Sequence, residues 1–322
     1  MGLALHQALK SLGNTETNPS VGCVIVKNNS VIGAGSTGFQ GKPHAEVNAI
    51  AFNKKEVKNS ELYTTLEPCS NYGKTHPCVN KIIESKIKKV FFSINDPDPR
   101  SYNKSKKRFK KNNIYVKNNI SNSESNFFYR SYLKSKVNKL PFVTAKLAVS
   151  KDLFTVNKKK EWITNKYSRG RVHLFRSIHD CLLTSSTTII KDNPKLTCRI
   201  NGLEHTSPTR IILDKDLTIS IKSNVVVTAK KNKTIIFFDS SNFNKINKMQ
   251  KLGVKLIKFS CNQSNNFDLT EVLKKIKLLG FSRIFLESGI KLTEAFLANF
   301  LIDDFHLFIA EKNIGKNGKN SF

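Results

Sequence analysis

The chain has 322 residues, enough for two domains of ordinary size, and 39% of them are hydrophobic, enough to build their cores. Its net charge is +30, but Lys and Arg are spread over nearly every polar segment. Clusters such as Lys104-Ser105-Lys106-Lys107-Arg108 and Lys158-Lys159-Lys160 therefore read as solvated faces, and no specific nucleic-acid partner is expected.

The N-terminus is too short and polar for a secretory h-region, and no apolar run reaches the ~18 residues of a membrane span. Six scattered cysteines do not form a disulfide framework. A cytoplasmic protein with no membrane partner is the expectation. Leu3, Leu5, Leu9 and Leu12 recur near helical spacing and predict a helix over 2–12. The β-rich runs 21–27 and 31–36, joined by Asn28-Asn29, predict a hairpin. Residues 45–53 read as helix, 61–66 as strand, 79–86 as helix, and 88–94 as a buried strand ending at Asn95-Asp96-Pro97. A polar, partly helical stretch from about 117 to 139 leads to Pro141. A second series then begins with strand 141–150, helix 165–177 and strands 180–185, 210–214, 225–229 and 234–238. Helix 268–279, strand 283–287, helix 291–300 and strand 304–310 complete it. The alternation indicates α/β layers in two domains, 1–139 and 140–322, with no internal repeat.

The chemistry is concentrated in His44-Ala45-Glu46, Pro68-Cys69 and Pro77-Cys78. Catalytic zinc takes three protein ligands and keeps a fourth position open for water, whose pKa it lowers toward ~7. One imidazole and two thiolates meet that need. Hydrolytic deamination also requires a carboxylate that moves protons without ligating the metal, and Glu46 stands where such a shuttle belongs. Each Pro-Cys pair is expected to open a helical segment, whose positive end favours thiolate. A closed zinc site with His76 as fourth ligand would leave Glu46 and the paired prolines without a role.

At these residues the chain resembles the bifunctional riboflavin-biosynthesis deaminase/reductase family. That family carries N-P-x-V-G, then H-A-E, then T-L-E-P-C-S-H-x-G-K-T-P-P-C. Here the matching segments are Asn18-Pro19-Ser20-Val21-Gly22, His44-Ala45-Glu46 and TLEPCSNYGKTHPC. The eight residues between the cysteines set this pattern apart from cytidine and tRNA-adenosine deaminases. Asn71 replaces the usual His, and His76 a Pro. The resemblance implies a cytidine-deaminase-like α/β/α sandwich followed by a dihydrofolate-reductase-like α/β domain. It implies zinc on His44, Cys69 and Cys78, catalysis by Glu46, and substrate contacts at Asn18 and Lys74.

Past residue 140 the residues alone announce no motif. Gly289 follows a strand and opens a helix, which suits either a phosphate site or a plain turn. The resemblance continues through Lys146-Leu147-Ala148, Trp162-Ile163-Thr164, Arg171, Arg176, Thr184–Thr188, Asp192-Asn193-Pro194, Leu196-Thr197, Arg199, Arg210–Asp214, Glu287 and Gly289. It implies NADPH contacts at Ala148, Trp162, Thr188, Asp192 and Gly289, and substrate contacts at Arg176, Leu196, Arg199 and Glu287. Departures fall at Leu153 and Phe154, where the family has Gly and a basic residue, and at Lys160, Ile290 and Glu311. The chain stops at Phe322, a few dozen residues before the family's usual end, so terminal strand structure is expected to be missing.

The implied activity has two steps. A diamino-ribosylamino-pyrimidinone 5′-phosphate is deaminated with zinc, and its ribosyl group is then reduced to ribityl with NADPH. The expected partner is that small phosphorylated pyrimidine, and the expected assembly a homodimer or higher homo-oligomer. Two other readings stay open: a deaminase whose second domain is a scaffold, and a nucleic-acid-acting deaminase favoured only by the charge.

Overall fold

A computed structural model describes residues 1–73, 75–157 and 163–321. The chain forms two compact units, Met1–Lys139 and Leu140–Phe322.

The first unit runs α1 (Gly2–Ser11), β1 (Gly22–Lys27), β2 (Ser30–Ser36), α2 (Ala45–Phe52), β3 (Glu61–Leu66), α3 (Cys78–Glu84), β4 (Lys89–Ile94), α4 (Lys104–Lys111), β5 (Tyr115–Lys117) and α5 (Asn122–Val137). Its sheet order is β2-β1-β3-β4-β5. β1 is antiparallel to both neighbours, while β3, β4 and β5 are parallel. Asn28 and Asn29 both adopt positive φ, 49° and 59°, which is the backbone a tight hairpin needs and which Asn tolerates well. A Cβ on Gly22 would lie 1.9 Å from the Ala4 carbonyl oxygen, so glycine is what lets α1 lie against β1. Helix α5 is stitched to the sheet through Tyr129, which is 2% exposed. Its hydroxyl donates to the Ser20 carbonyl at 2.9 Å and lies 2.6 Å from Thr65 Oγ1.

The second unit continues with β6 (Phe142–Val149), β7 (Phe154–Asn157), α6 (Lys166–Ser177), β8 (Cys181–Ser185), α7 (Ser186–Asp192), β9 (Thr209–Leu213), α8 (Asn224–Val227), β10 (Thr234–Phe238), α9 (Phe243–Lys251) and β11 (Lys255–Lys258). Then come α10 (Leu269–Leu278), β12 (Arg283–Glu287), α11 (Ile290–Ala298), β13 (Asp304–Ile309) and β14 (Gly318–Ser321). Seven parallel strands stand in the order β11-β10-β9-β8-β12-β6-β13, and β7 pairs with β14 as an antiparallel ribbon. Alternate residues of the central strands feed two hydrophobic clusters. Leu182, Ile212, Ile236 and Phe285 join one, and Leu183, Ile211, Ile235 and Leu286 the other. Burial on both faces is what an all-parallel sheet demands.

The expected strand at 225–229 is a helix instead. The valines have strand propensity, but Arg210 dictates the local geometry. This guanidinium is 0% exposed and donates to the carbonyls of Val225, Lys195 and Asn232 and to the hydroxyls of Thr228 and Thr234. A helical turn brings Val225 and Thr228 to the same cation, and that tertiary demand overrides β propensity.

His179 is buried 4% exposed between Phe175 and Phe285, with Nδ1 2.6 Å from the Phe175 carbonyl oxygen. Burial, then the nearby Arg283 charge, pushes its pKa down to about 3. An unfolded histidine takes up its proton near 6.5. Its stability contribution is therefore full above that pH and is lost as pH falls toward the folded value. Urea unfolding of the second unit is expected to weaken by about 2 kcal/mol between pH 6.5 and 5, with a shallower slope in His179→Gln. Identical slopes in both proteins would contradict this account.

Candidate active sites

In the first unit His44 is the N-cap of α2, Glu46 lies in that helix's first turn, and Cys78 is the first residue of α3. Only Cys78 opens a helix. Cys69 lies in the loop after β3, so the expectation that both cysteines start helices fails for it. The reason is local: the Cys69 thiol is held by the Cys78 backbone N–H at 3.2 Å, which turns the loop toward α3.

His44 Nδ1 lies 3.1 Å from Cys78 Sγ and 3.5 Å from Cys69 Sγ, and all three donor atoms fall within 4.8 Å of one another. Metal–ligand bonds of ~2.0–2.3 Å in a tetrahedron separate ligand atoms by roughly 3.3–3.8 Å, so the triad has the spacing and donor chemistry of a zinc site. The hydrogen bond from Cys78, followed by contacts with His44, holds the Cys69 thiol well below its usual range, while the same pairing and burial push Cys78 up. A cation held between them would favour both sulfurs as thiolates.

Glu46 is 4% exposed and outside the triad, and its charge helps push the Cys78 thiol up. Burial raises its pKa, with the His44 charge opposing. That is the direction required of a carboxylate that must both take and give protons. Asn18 is exposed, and its amide donates to the Gly41 carbonyl at 3.4 Å. Asn71 accepts a 2.8 Å hydrogen bond from Ser101. Lys74 lies outside the described residues.

In the second unit the sites converge on the C-terminal edge of the parallel sheet. Ser186 opens α7 directly after β8, and Gly289 caps α11 just after β12, the neighbouring strand. Thr188 and Asp192 ride on α7, and Ala148 lies near the end of β6. Trp162 and Lys160 lie outside the described residues. Arg176 grips Glu287 with two hydrogen bonds of 2.9 and 2.7 Å and spends its third nitrogen on the Thr197 carbonyl at 2.9 Å. Burial alone would raise Glu287, but Arg176, then Lys146, hold it below its ordinary value.

Lys146 and His173 belong to this cluster, and the sequence had given neither a role. Register places Lys146 opposite both Glu287 and His306, and burial lowers its pKa. His173 Nδ1 accepts the Arg199 backbone N–H at 3.2 Å. Leu196 is 2% exposed and packed in the core, at φ 53°. Arg199 is exposed.

Residues 141–322 match the RibD C-terminal domain family, more than half of the chain. The chain belongs to the RibD family. Residues 1–94 match the zinc-binding region of cytidine and deoxycytidylate deaminases. The riboflavin biosynthesis protein RibD of Aquifex aeolicus is 34% identical over 98% of this chain and 87% of its own length. The Bacillus amyloliquefaciens RibD is 32% identical over 98% and 84%. Among solved structures, Acinetobacter baumannii RibD superposes with TM-score 0.88 at 28% identity, covering all of this chain and 88% of its own. The Thermotoga maritima diaminohydroxyphosphoribosylaminopyrimidine deaminase/5-amino-6-(5-phosphoribosylamino)uracil reductase gives 0.88 at 31%, with the same coverage. With both RibD halves present, the chain is a bifunctional riboflavin-biosynthesis enzyme, a zinc deaminase and an NADPH-dependent reductase. Among the described residues no helix is long and apolar enough to cross a membrane.

The RibD pattern also explains a departure. Leu153 stands where the family has glycine, and its φ is 63°. The left-handed region costs an L-residue roughly 1–2 kcal/mol, and glycine gives back part of that gain as lost chain entropy. Asp152 beside it accepts the backbone N–H groups of Ile314 and Gly315, which anchors the turn. Leu153→Gly is expected to stabilise the second unit by about 0.5–1 kcal/mol in denaturant unfolding. A destabilised variant would show that the leucine side chain outweighs its backbone strain.

Proposed function

We propose that residues 1–139 deaminate a diamino-ribosylamino-pyrimidinone 5′-phosphate and that residues 140–322 reduce its ribosyl group to a ribityl chain. The observation that carries the first step is Glu46, buried against the His44–Cys69–Cys78 triad without belonging to it. Zinc, when held there, supplies Lewis acidity that makes water nucleophilic at neutral pH. Glu46 carries protons from the attacking water to the ring nitrogen and then to the departing ammonia. Asn18 and Lys74 hold the pyrimidine and its phosphate.

In the second step NADPH supplies the hydride. Thr188, Asp192, Ala148, Trp162 and the Gly289 turn bind it, with the starts of α7 and α11 presenting free N–H groups to anionic oxygens. Arg176 uses three of its five N–H groups on Glu287 and the Thr197 carbonyl, so it fixes Glu287 and keeps donors of its own for the substrate. The exposed Arg199 is left to meet the phosphate. Leu196, with its side chain in the core, offers only its main chain. The enzyme works in the cytoplasm on this small molecule, as a homodimer or higher homo-oligomer.

Incubation with the pyrimidine phosphate, with and without NADPH, tests the reading. Ammonia is expected in both mixtures and NADPH oxidation only after deamination. Ammonia without any NADPH oxidation would reduce the second unit to a scaffold.

A further inference from the structure

Glu67 follows β3 and lies two residues before Cys69. It is 3% exposed, yet among the described residues its hydrogen-bond partners are all neutral donors. Oε2 accepts the backbone N–H groups of Asp96 at 3.3 Å and Asn103 at 3.1 Å. Oε1 accepts the Ser105 N–H at 3.2 Å and its hydroxyl at 2.7 Å. A buried carboxylate with no cation is costly, and its use here has a chemical reason: only a carboxylate accepts on both oxygens. An amide would turn its NH2 onto N–H donors.

The backbone is shaped for this grip. Asn103 adopts φ 56°, which turns the amides of 103 and 105 toward one point, an anion-binding nest. The segment so held then reaches back across the loop between the two cysteines. Ser101 donates to Asn71 Oδ1 at 2.8 Å, and Arg108 donates to the Ser70 carbonyl at 3.4 Å and to Asn80 on α3 at 2.5 Å. Chain from Glu67 to Ser101 to Asn71 thus closes a ring that begins and ends beside Cys69.

We propose that Glu67 is a positioning residue for the deamination, holding segment 96–105 so that Ser101 and Arg108 fix residues 70–71 of the inter-cysteine loop as a wall of the substrate pocket. This rests on the deaminase reading above. Glu67 is not a metal ligand and does not touch the reacting atoms. It sets where the substrate sits, not how fast bound substrate reacts.

The test uses the full-length zinc enzyme and the variants Glu67→Gln, Ser101→Ala and their combination. Glu67→Gln is expected to raise the KM for deamination about tenfold and change kcat less than about threefold. Zinc content and NADPH oxidation with the deaminated pyrimidine should stay unchanged. Ser101→Ala is expected to raise KM in the same direction, and the double variant should be no worse than Glu67→Gln alone. Amide exchange, which needs no turnover, should accelerate in segment 96–105 and also in 69–78 with zinc bound. Exchange confined to 96–105, an unchanged KM, additive effects, or a parallel loss of zinc would each overturn the proposal. Absence of ammonia release by the unaltered enzyme would overturn the deaminase reading, and the exchange pattern would still decide whether Glu67 controls the loop.

Discussion

Glu46→Gln is expected to keep about one zinc per chain and a folded first unit while losing deamination by at least ~10²-fold, the usual scale of a lost general acid–base. The substitution keeps the size and buried position of the side chain and removes its ability to take a proton. Because the triad of His44, Cys69 and Cys78 supplies three donor atoms without it, metal retention is the discriminating measurement. If zinc leaves with the carboxylate, Glu46 is a ligand and the site is a closed, structural one.

The second large effect concerns the metal. Cys78→Ala is expected to lower zinc affinity by more than ~100-fold, since changes outside the ligand sphere alone cost 10–100-fold. Deamination should then vanish, while NADPH oxidation with deaminated pyrimidine persists, because the reductase cluster lies in the other compact unit. Cys78 is 1% exposed and starts α3, so the lost sulfur also leaves His44 without its partner at 3.1 Å. Metal analysis beside the two activities reads all three consequences. Full zinc occupancy in the variant would remove Cys78 from the ligand set.

The first site was legible in the sequence because its chemistry is local. His44 and Glu46 are two residues apart at one helix start, and both cysteines follow prolines within one loop. The order of the elements was readable for the same reason, through apolar periodicity. What escaped was set by tertiary partners. The valines of 224–227 became helical to serve Arg210, and Glu67 gave no sign that four donors more than 25 residues away would meet on it. Lys146 could not be assigned from the sequence because only strand register brings it against Glu287, 141 residues later. The short elements α7 and β11, of seven and four residues, are too brief to show an apolar period, whereas the Phe243, Ile246 and Met249 stripe of α9 was readable at helical spacing. Leu153 shows the reverse, a sequence anomaly whose meaning lay in its backbone angle.

Tyr129 has one more consequence. Its hydroxyl ties α5 to Ser20, just before β1, and to Thr65 on β3, so the last helix before residue 140 belongs to the core of the first unit rather than to a connector. A gene divided at codon 139 would therefore deliver a first half with its hydrophobic interior closed. One divided near codon 121 would strip a buried phenol from two polar partners and expose the sheet. The boundary between the two units thus falls after this helix and not before it.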